Sequence, residues 1–153
     1  MLKSSLIQFS DKMNSILPLF IIEMVKRQVN ELYRGKITFP QFLVLELLYK
    51  EKESTMTNIA RSMSVTTAAA TGIVERLVRD GYVVRVSNLK DRRIVLIRLT
   101  TKGTDLVEKI RQQRRIMIND IFSNISEEER QNYLNILLKI YNILLPGEKE
   151  AKA

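Results

Sequence analysis

The chain of 153 residues contains no cysteine, no histidine and no tryptophan, and only five glycines and three prolines. Without cysteine, the sequence excludes a disulfide framework, a thiolate zinc site and a thiol redox sensor. Without histidine, it lacks the commonest general base and the commonest metal ligand. The glycines are scattered and form no phosphate-cradling loop. We therefore predict no catalytic site, no metal site and no cofactor, which argues against an enzyme.

Long apolar runs are also missing. The longest one, Ile16–Ile22, is interrupted by Pro18 and is far shorter than the roughly 20 residues that span a bilayer. No small-residue cleavage site follows it, so a signal peptide is not expected either. We expect a cytoplasmic protein with no membrane partner.

The charge of the chain is positive and unevenly distributed. The net charge is +8 at pH 7, although the apolar and charged fractions, 45% and 27%, are those of an ordinary soluble domain. Between residues 54 and 103, nine basic residues against three acidic ones leave a net charge of +6 in a third of the chain. Because a charge that serves solubility alone would be spread more evenly, this clustering favours a phosphate-facing surface.

The spacing of apolar residues divides the chain into three regions. Residues 1–36 are typical of one long helix, over about 5–33, which Pro18 should kink or restart because proline lacks an N–H group. Residues 104–147 are typical of two further helices. The region between them, residues 37–103, contains the basic cluster. Within it, the spacing of the apolar residues changes from the helical period to the alternation of a β-strand.

The middle region begins with three helices. Thr38 can cap the first of them, and Gln41 can complete a capping box. A short helix over about 57–63 follows, and the sequence leaves open which of the threonines at its start is the cap. After a tight turn, Thr66 caps the third helix, which Gly81 ends in a left-handed conformation.

Two runs rich in valine and isoleucine then flank a polar stretch. They cover residues 82–87 and 94–100, and they predict a β-hairpin with an exposed basic tip. Two short helices joined by a tight turn and followed by a hairpin form a winged helix-turn-helix, whose second helix enters the DNA major groove. We therefore predict a mainly α fold with a small β-hairpin.

The first turn of that second helix has a composition suited to DNA. Threonine hydroxyls and the N–H groups of a helix N-terminus match phosphate oxygens, and small alanines allow a close approach and can meet thymine methyl groups. Alternatively, the alanines are good helix formers at a packed crossing, and for Ala70 this is the better interpretation. The residues expected at the DNA are Thr66, Thr67, Ala68, Ala69 and Thr71.

The tip of the hairpin is strongly basic and consists of Lys90, Asp91, Arg92 and Arg93. A guanidinium group on a protruding loop can enter the minor groove, where the negative potential is enhanced. Asp91 and Arg93 project to one side of an extended strand, so the carboxylate can hold the guanidinium group in one orientation. The alternative interpretation is a solvated run of charges in a surface turn.

In their order and spacing, these motifs resemble the MarR family of winged helix-turn-helix regulators, through most of the chain. The matching positions are Asp91-Arg92-Arg93, Leu99-Thr100 and Gly103 in the wing, Thr38 with Gln41 upstream, and Ile59-Ala60, Val65-Thr66 and residues 77–83 in the helix-turn-helix. The resemblance implies a transcriptional repressor that binds double-stranded DNA as a homodimer. Residues 1–36 and 104–147 would form the dimerisation helices, and residues 37–103 the DNA-binding region.

The resemblance also implies roles for single residues. Arg76 would support contacts with the DNA backbone, and Arg93 would reach the minor groove with Asp91 orienting it. The chain departs from the family at Ser64, where a turn glycine is frequent, and strain is expected there. It departs again at Ala68 and Gly72, where longer or hydroxylated residues are frequent, which reduces hydrogen-bonded base readout.

A small effector, often aromatic and anionic, releases DNA in many members of this family. The candidate pocket residues in this chain are Tyr33, Phe42 and Tyr49, near the basic face of Arg111, Arg114 and Arg115. The alternative interpretation for each is a core aromatic residue or a solvated helix face.

The last predicted helix independently favours a dimer. Its apolar residues, between Tyr133 and Leu145, are spread around more than one face, as expected for a helix buried on two sides. A winged helix that docks on protein, such as an antirepressor or an assembly subunit, would share the fold and remains the alternative. The basic wing tip argues against it, because a protein-docking module has no need of one.

Overall fold

The computed structural model describes residues 2–27, 37–89 and 91–145. In chain order its elements are α1 (Leu2–Arg27), α2 (Phe39–Glu51), β1 (Glu53–Thr55), α3 (Met56–Ser62), α4 (Thr67–Arg79), β2 (Val83–Ser87), β3 (Val95–Leu99), α5 (Thr101–Phe122) and α6 (Glu127–Leu144). The chain divides into two compact units, Met1–Arg114 and Arg115–Ala153, so that the boundary falls within α5. The mainly α fold is confirmed. Within the described residues, no helix is long and apolar enough to cross a membrane.

Side-chain caps start the helices of the middle region where the sequence predicts them. Thr38 Oγ1 accepts from the amide of Gln41 at 3.4 Å, and the side chain of Gln41 accepts from the amide of Thr38 at 2.7 Å, so the capping box is formed. Thr55 caps α3, which settles the choice left open by the sequence. Thr66 caps α4 as predicted.

Two turns of this region contain residues with positive φ, as predicted. Ser64, in the turn between α3 and α4, has φ 54°, and Gly81, after α4, has φ 76°. Glycine adopts this left-handed region without cost, whereas serine is strained there. A third such residue, Lys52 with φ 71°, ends α2 and was not predicted, because no glycine or asparagine marks the position.

The predicted hairpin is present, but it is part of a three-stranded antiparallel sheet with the order β1-β3-β2. The hairpin strands pair in a register that sets Val83 opposite Leu99. The additional strand β1 pairs with the outer edge of β3, where Glu53 lies opposite Arg98. The hairpin itself is confirmed, and the sequence did not indicate the third strand, because β1 is three polar residues long and shows no apolar alternation.

The hydrophobic core of the first unit lies between the helices of the middle region, the sheet and the first half of α5. It is formed by Ile37, Phe42, Val44, Leu45, Leu48, Ile59, Ala60, Ala70, Val74, Leu77, Tyr82, Val83, Ile97, Leu106, Val107 and Ile110. Ala70, Val74 and Leu77 of α4 are fully buried, as the apolar stripe predicts. Ala70 is therefore a core residue, which confirms the packing interpretation at that position.

The flanking helices differ from prediction mainly at their ends. Helix α1 continues through Pro18 without a restart, and its predicted extension to Tyr33 lies outside the described residues. Helix α5 begins at Thr101, slightly before the predicted start. Ser126 forms the predicted capping box at the start of α6, whereas the predicted stop at Pro146 also lies outside the described residues.

Candidate nucleic-acid interface

Helix α4 has one face in the core and one face in solvent. The buried stripe of Ala70, Val74 and Leu77 fixes the rotation of the helix about its axis, because these residues recur at helical spacing. As a result, the first turn of α4 is directed outward. Its exposed residues are Thr66, Thr67, Ala68 and Ala69, while Thr71 is half-buried.

The three threonines of this turn differ in how far their hydroxyl groups are engaged. Thr66 Oγ1 accepts from the amide of Ala69 at 3.2 Å, which uses it as the helix cap. The hydroxyl of Thr71 donates to the carbonyl of Thr67 at 2.7 Å. The hydroxyl of Thr67 has no hydrogen-bond partner in the described part of the chain. Thr67 therefore offers the freest hydroxyl for an external acceptor.

The backbone at the start of α4 also offers donors. The first amides of an α-helix have no intrahelical acceptor, and here the cap of Thr66 engages the amide of Ala69 only. The outward-facing amides of Thr67 and Ala68 remain for an external anion, and the positive end of the helix dipole lies beside them.

Some of the exposed arginines make no ion pair within the described residues. Arg76 on α4 and Arg92 and Arg93 after β2 are exposed, and they form no salt bridge or hydrogen bond to an acidic side chain within residues 2–27, 37–89 and 91–145. Their guanidinium groups are therefore available to phosphate oxygens or base edges without breaking a contact in the protein.

Other arginines of the basic cluster are already paired. The Nε of Arg98 lies 2.6 Å from a carboxylate oxygen of Glu53, and this pair links β3 to β1. The guanidinium group of Arg85 lies 3.7 Å from the carboxylate of Glu75. The sequence placed all these arginines in one cluster, but it did not separate the unpaired ones from those that neutralise a neighbouring acid.

The tip of the wing is held by backbone hydrogen bonds. Asp91 Oδ1 accepts from the backbone amide of Arg93 at 2.9 Å, and the carbonyl of Asp91 accepts from the amide of Ile94 at 3.0 Å. The carboxylate of Asp91 thus contacts Arg93 as the sequence suggested, but it engages the main chain of that residue. Lys90, the remaining predicted wing residue, lies outside the described residues.

The sequence did not identify the apolar character of the wing tip. Leu89 is 98% exposed, which is unusual for a leucine. It lies beside an open groove of about 300 Å³ whose other lining residues are Glu53, Asn88, Leu96 and Arg98. An apolar residue between polar neighbours in a loop gives no periodic signal, so only the structure shows its exposure.

The predicted effector residues lie in different environments. Phe42 is 2% exposed and belongs to the core, with the guanidinium carbon of Arg114 5.1 Å from its ring centre. Tyr49 lies nearer the surface, and the guanidinium carbon of Arg111 is 4.9 Å from its ring centre. Arg115 is exposed, and Tyr33 lies outside the described residues.

The phenol of Tyr49 is held by an acidic side chain. Its hydroxyl donates to a carboxylate oxygen of Glu108 at 3.1 Å. This hydrogen bond, together with the negative charge of Glu108, raises the pKa of Tyr49 above its ordinary value of 10.0. Tyr49 therefore provides a neutral aromatic surface flanked by a cation.

A helix-turn-helix with an outward-facing second helix, followed by a basic wing, defines a winged helix-turn-helix protein. Comparison with known proteins specifies this class further. The model of the MarR family matches residues 37–95, which span α2 to the start of β3. The HTH-type transcriptional repressor YetL of Bacillus subtilis (strain 168) is 32% identical over 133 residues, covering 84% of this chain and 79% of YetL.

Solved structures agree with this assignment. A MarR family protein from Bacillus stearothermophilus matches with a TM-score of 0.79 and 25% identity, covering 90% of this chain and 96% of that one. A mutant of MarR from E. coli in complex with operator DNA matches with a TM-score of 0.65 and 25% identity, covering 84% and 93%. The chain belongs to the MarR family of winged helix-turn-helix transcriptional regulators.

Proposed function

We propose that this protein is a transcriptional repressor that binds operator DNA as a homodimer. The observation that carries the proposal is the orientation of α4: its apolar stripe is buried, and its first turn and its unpaired arginine face solvent. Residues 37–103 would form the DNA-binding region, and residues 1–36 and 104–147 the dimerisation helices. The relatives support this proposal, since YetL is named a repressor and MarR from E. coli has been solved with operator DNA.

In the proposed complex, the first turn of α4 lies in the major groove. The free hydroxyl of Thr67 and the free amides at the helix start bind phosphate oxygens. Ala68 and Ala69 bring the helix close to the bases and contact thymine methyl groups. Arg76, about two turns further along, binds the DNA backbone. This arrangement uses shape and methyl contacts more than paired hydrogen bonds to bases.

The wing reads the minor groove in this proposal. Arg93 enters the groove, where a narrow width increases the negative potential, and Arg92 and Lys90 contact the flanking phosphates. Asp91 acts on Arg93 through the backbone amide that it accepts, which fixes the path of the chain at the tip. A protein-docking winged helix would not need exposed, unpaired arginines at this position.

The exposed apolar residues of the terminal helices support a dimer, and this holds for α1 and for α6 separately. Helix α6 has no buried residue in the single chain, although most of its large side chains are apolar. Among the described side chains of helix α1, ten large apolar residues are exposed: Leu6, Ile7, Phe9, Met13, Ile16, Leu17, Leu19, Phe20, Ile21 and Ile22. Apolar surfaces of this extent require cover in water, and a second copy of the chain is the cover that the family assignment favours.

The proposal includes a small aromatic or anionic effector that binds this protein and releases the DNA. Tyr49 and Arg111 on α2 and α5 together offer a ring and a cation, which suits an aromatic acid. Phe42 is buried in the core and would contribute only by packing beneath the site.

The central experiment is a fluorescence-anisotropy titration of the full chain against duplexes from its own upstream region, with unrelated DNA as competitor. Tight binding that resists the competitor and weakens steeply with salt is expected. The bound half-sites should lie about 10 bp apart, one DNA turn, as two symmetric recognition helices require. Absence of binding to any DNA at low salt, including DNA selected from random sequence, would favour the protein-docking alternative.

The dimer is tested by inserting a charge into the apolar surface of α6. Leu137→Lys should produce monomers in sedimentation equilibrium, because the substitution would bury an unpaired ammonium group at the interface. Gln131→Lys, at an exposed polar position of the same helix, is the matched control and should remain dimeric. A wild-type chain that is monomeric at micromolar concentration would contradict the dimer.

A further inference from the structure

Gly72 lies in the interior of α4, where glycine is unfavourable. Glycine in the middle of a helix destabilises it relative to alanine, because the unfolded glycine backbone has more freedom to lose. A glycine in such a position therefore needs a compensating reason, either in the fold or in what the helix binds.

The fold provides such a reason for the other two described glycines. Gly81 has φ 76°, a conformation that side chains rarely adopt. A Cβ atom at Gly103 would overlap the carbonyl oxygen of Tyr82, so α5 can pass the backbone of Tyr82 only with a glycine at this position. Both glycines are required by the protein itself.

Neither reason applies to Gly72. It has helical backbone geometry, and a Cβ atom built on it would meet nothing within 4 Å apart from its chain neighbours and the backbone of its own helix. Within the described residues, nothing requires the absence of a side chain at this position. The space next to Gly72 opens to the solvent side of α4, one turn after Ala68 and Ala69 on the same face.

We propose that Gly72 is a DNA-contact position at which the helix backbone approaches the operator more closely than a Cβ atom would permit. This inference rests on the proposed function and deepens it. An α-helix with its side chains is about 10–12 Å wide, and the major groove is about 12 Å wide, so each side chain on the inserted face limits the depth of insertion. Ala68, Ala69 and Gly72 leave this face of α4 nearly smooth.

The test separates folding from binding with substitutions that the fold can accept. Gly72→Ala should raise the melting temperature by about 2–4 °C, because it restores helix propensity without a steric conflict. The same variant should bind operator DNA roughly tenfold more weakly, the scale of one lost base contact. Gly72→Leu should also fold and should bind more weakly still, since its side chain is longer. The salt dependence of binding should not change, because no charge is altered.

Gly103→Ala is the contrasting control, measured at the same protein concentration. It should lower the melting temperature, because its Cβ would overlap the backbone at Tyr82. If the wild type binds operator and Gly72→Ala binds equally well, the inference is refuted and the proposed function stands. A lower melting temperature for Gly72→Ala would refute it too, by showing that the fold needs this glycine. A wild type that binds no DNA would refute both proposals.

Discussion

The sharpest test of the wing is the replacement of Arg93 by alanine. Arg93 is exposed, and in the described part of the chain its guanidinium group has no acidic partner, so its removal should leave the fold intact. The free energy of unfolding should change by less than about 0.5 kcal/mol, as for an exposed residue without specific contacts. The main consequence of Arg93→Ala should therefore be a loss of affinity for DNA.

The expected loss of affinity follows from the proposed symmetry. One lost arginine contact costs about 1–3 kcal/mol, and a dimer with two wings loses two, or about 2–6 kcal/mol. At about 1.4 kcal/mol per tenfold change, the dissociation constant should rise between about 30-fold and 10⁴-fold. The slope of log K against log salt should become shallower by about 2 units, since two cations no longer displace counterions.

Fluorescence anisotropy at several salt concentrations measures both quantities, and thermal unfolding measures stability. Arg98→Ala is the matched control, because that guanidinium group is engaged by Glu53. It should change affinity by less than about threefold and cost about 0.2–1 kcal/mol of stability, as exposed ion pairs do. The reasoning fails if Arg93→Ala retains wild-type affinity and salt dependence, or if it destabilises the protein more than the control.

Three further predictions concern stability and ionisation. Ser64→Gly should raise the free energy of unfolding by about 1 kcal/mol, because φ 54° strains serine; a lower urea midpoint would contradict this. Leu77→Ala should cost about 2–5 kcal/mol in the same assay, against less than about 0.5 kcal/mol for the exposed control Val84→Ala. The raised pKa of Tyr49 means that its stabilising contribution is complete below pH 10.0 and is lost as the pH rises through the folded-state pKa. Absorbance titration should show a late-ionising phenol that Tyr49→Phe removes, and an unchanged titration curve would argue against the hydrogen bond to Glu108.

Much of this protein could be predicted from the sequence because its signals are local. The capping boxes at Thr38 and Ser126 depend on residues three positions apart, and the structure confirms both. The left-handed residue at Gly81 follows from a glycine placed directly after a helix, and the one at Ser64 from the tight turn between α3 and α4. The burial of one face of α4 follows from the period of its apolar residues. These local features are sufficient to identify the winged helix-turn-helix.

The tertiary structure alone decided the features that depend on residues distant in sequence. Strand β1 exists because Glu53–Thr55 meets the edge of β3, more than 40 residues further along, and its polar sequence gives no strand signal. The same pairing brings Glu53 to Arg98, and so determines that this arginine is engaged by an acidic side chain. The open space at Gly72 and the overlap at Gly103 likewise depend on where distant backbone lies. Local sequence sets the conformation of each element, but the partners of a charge or a glycine are set only when those elements pack together.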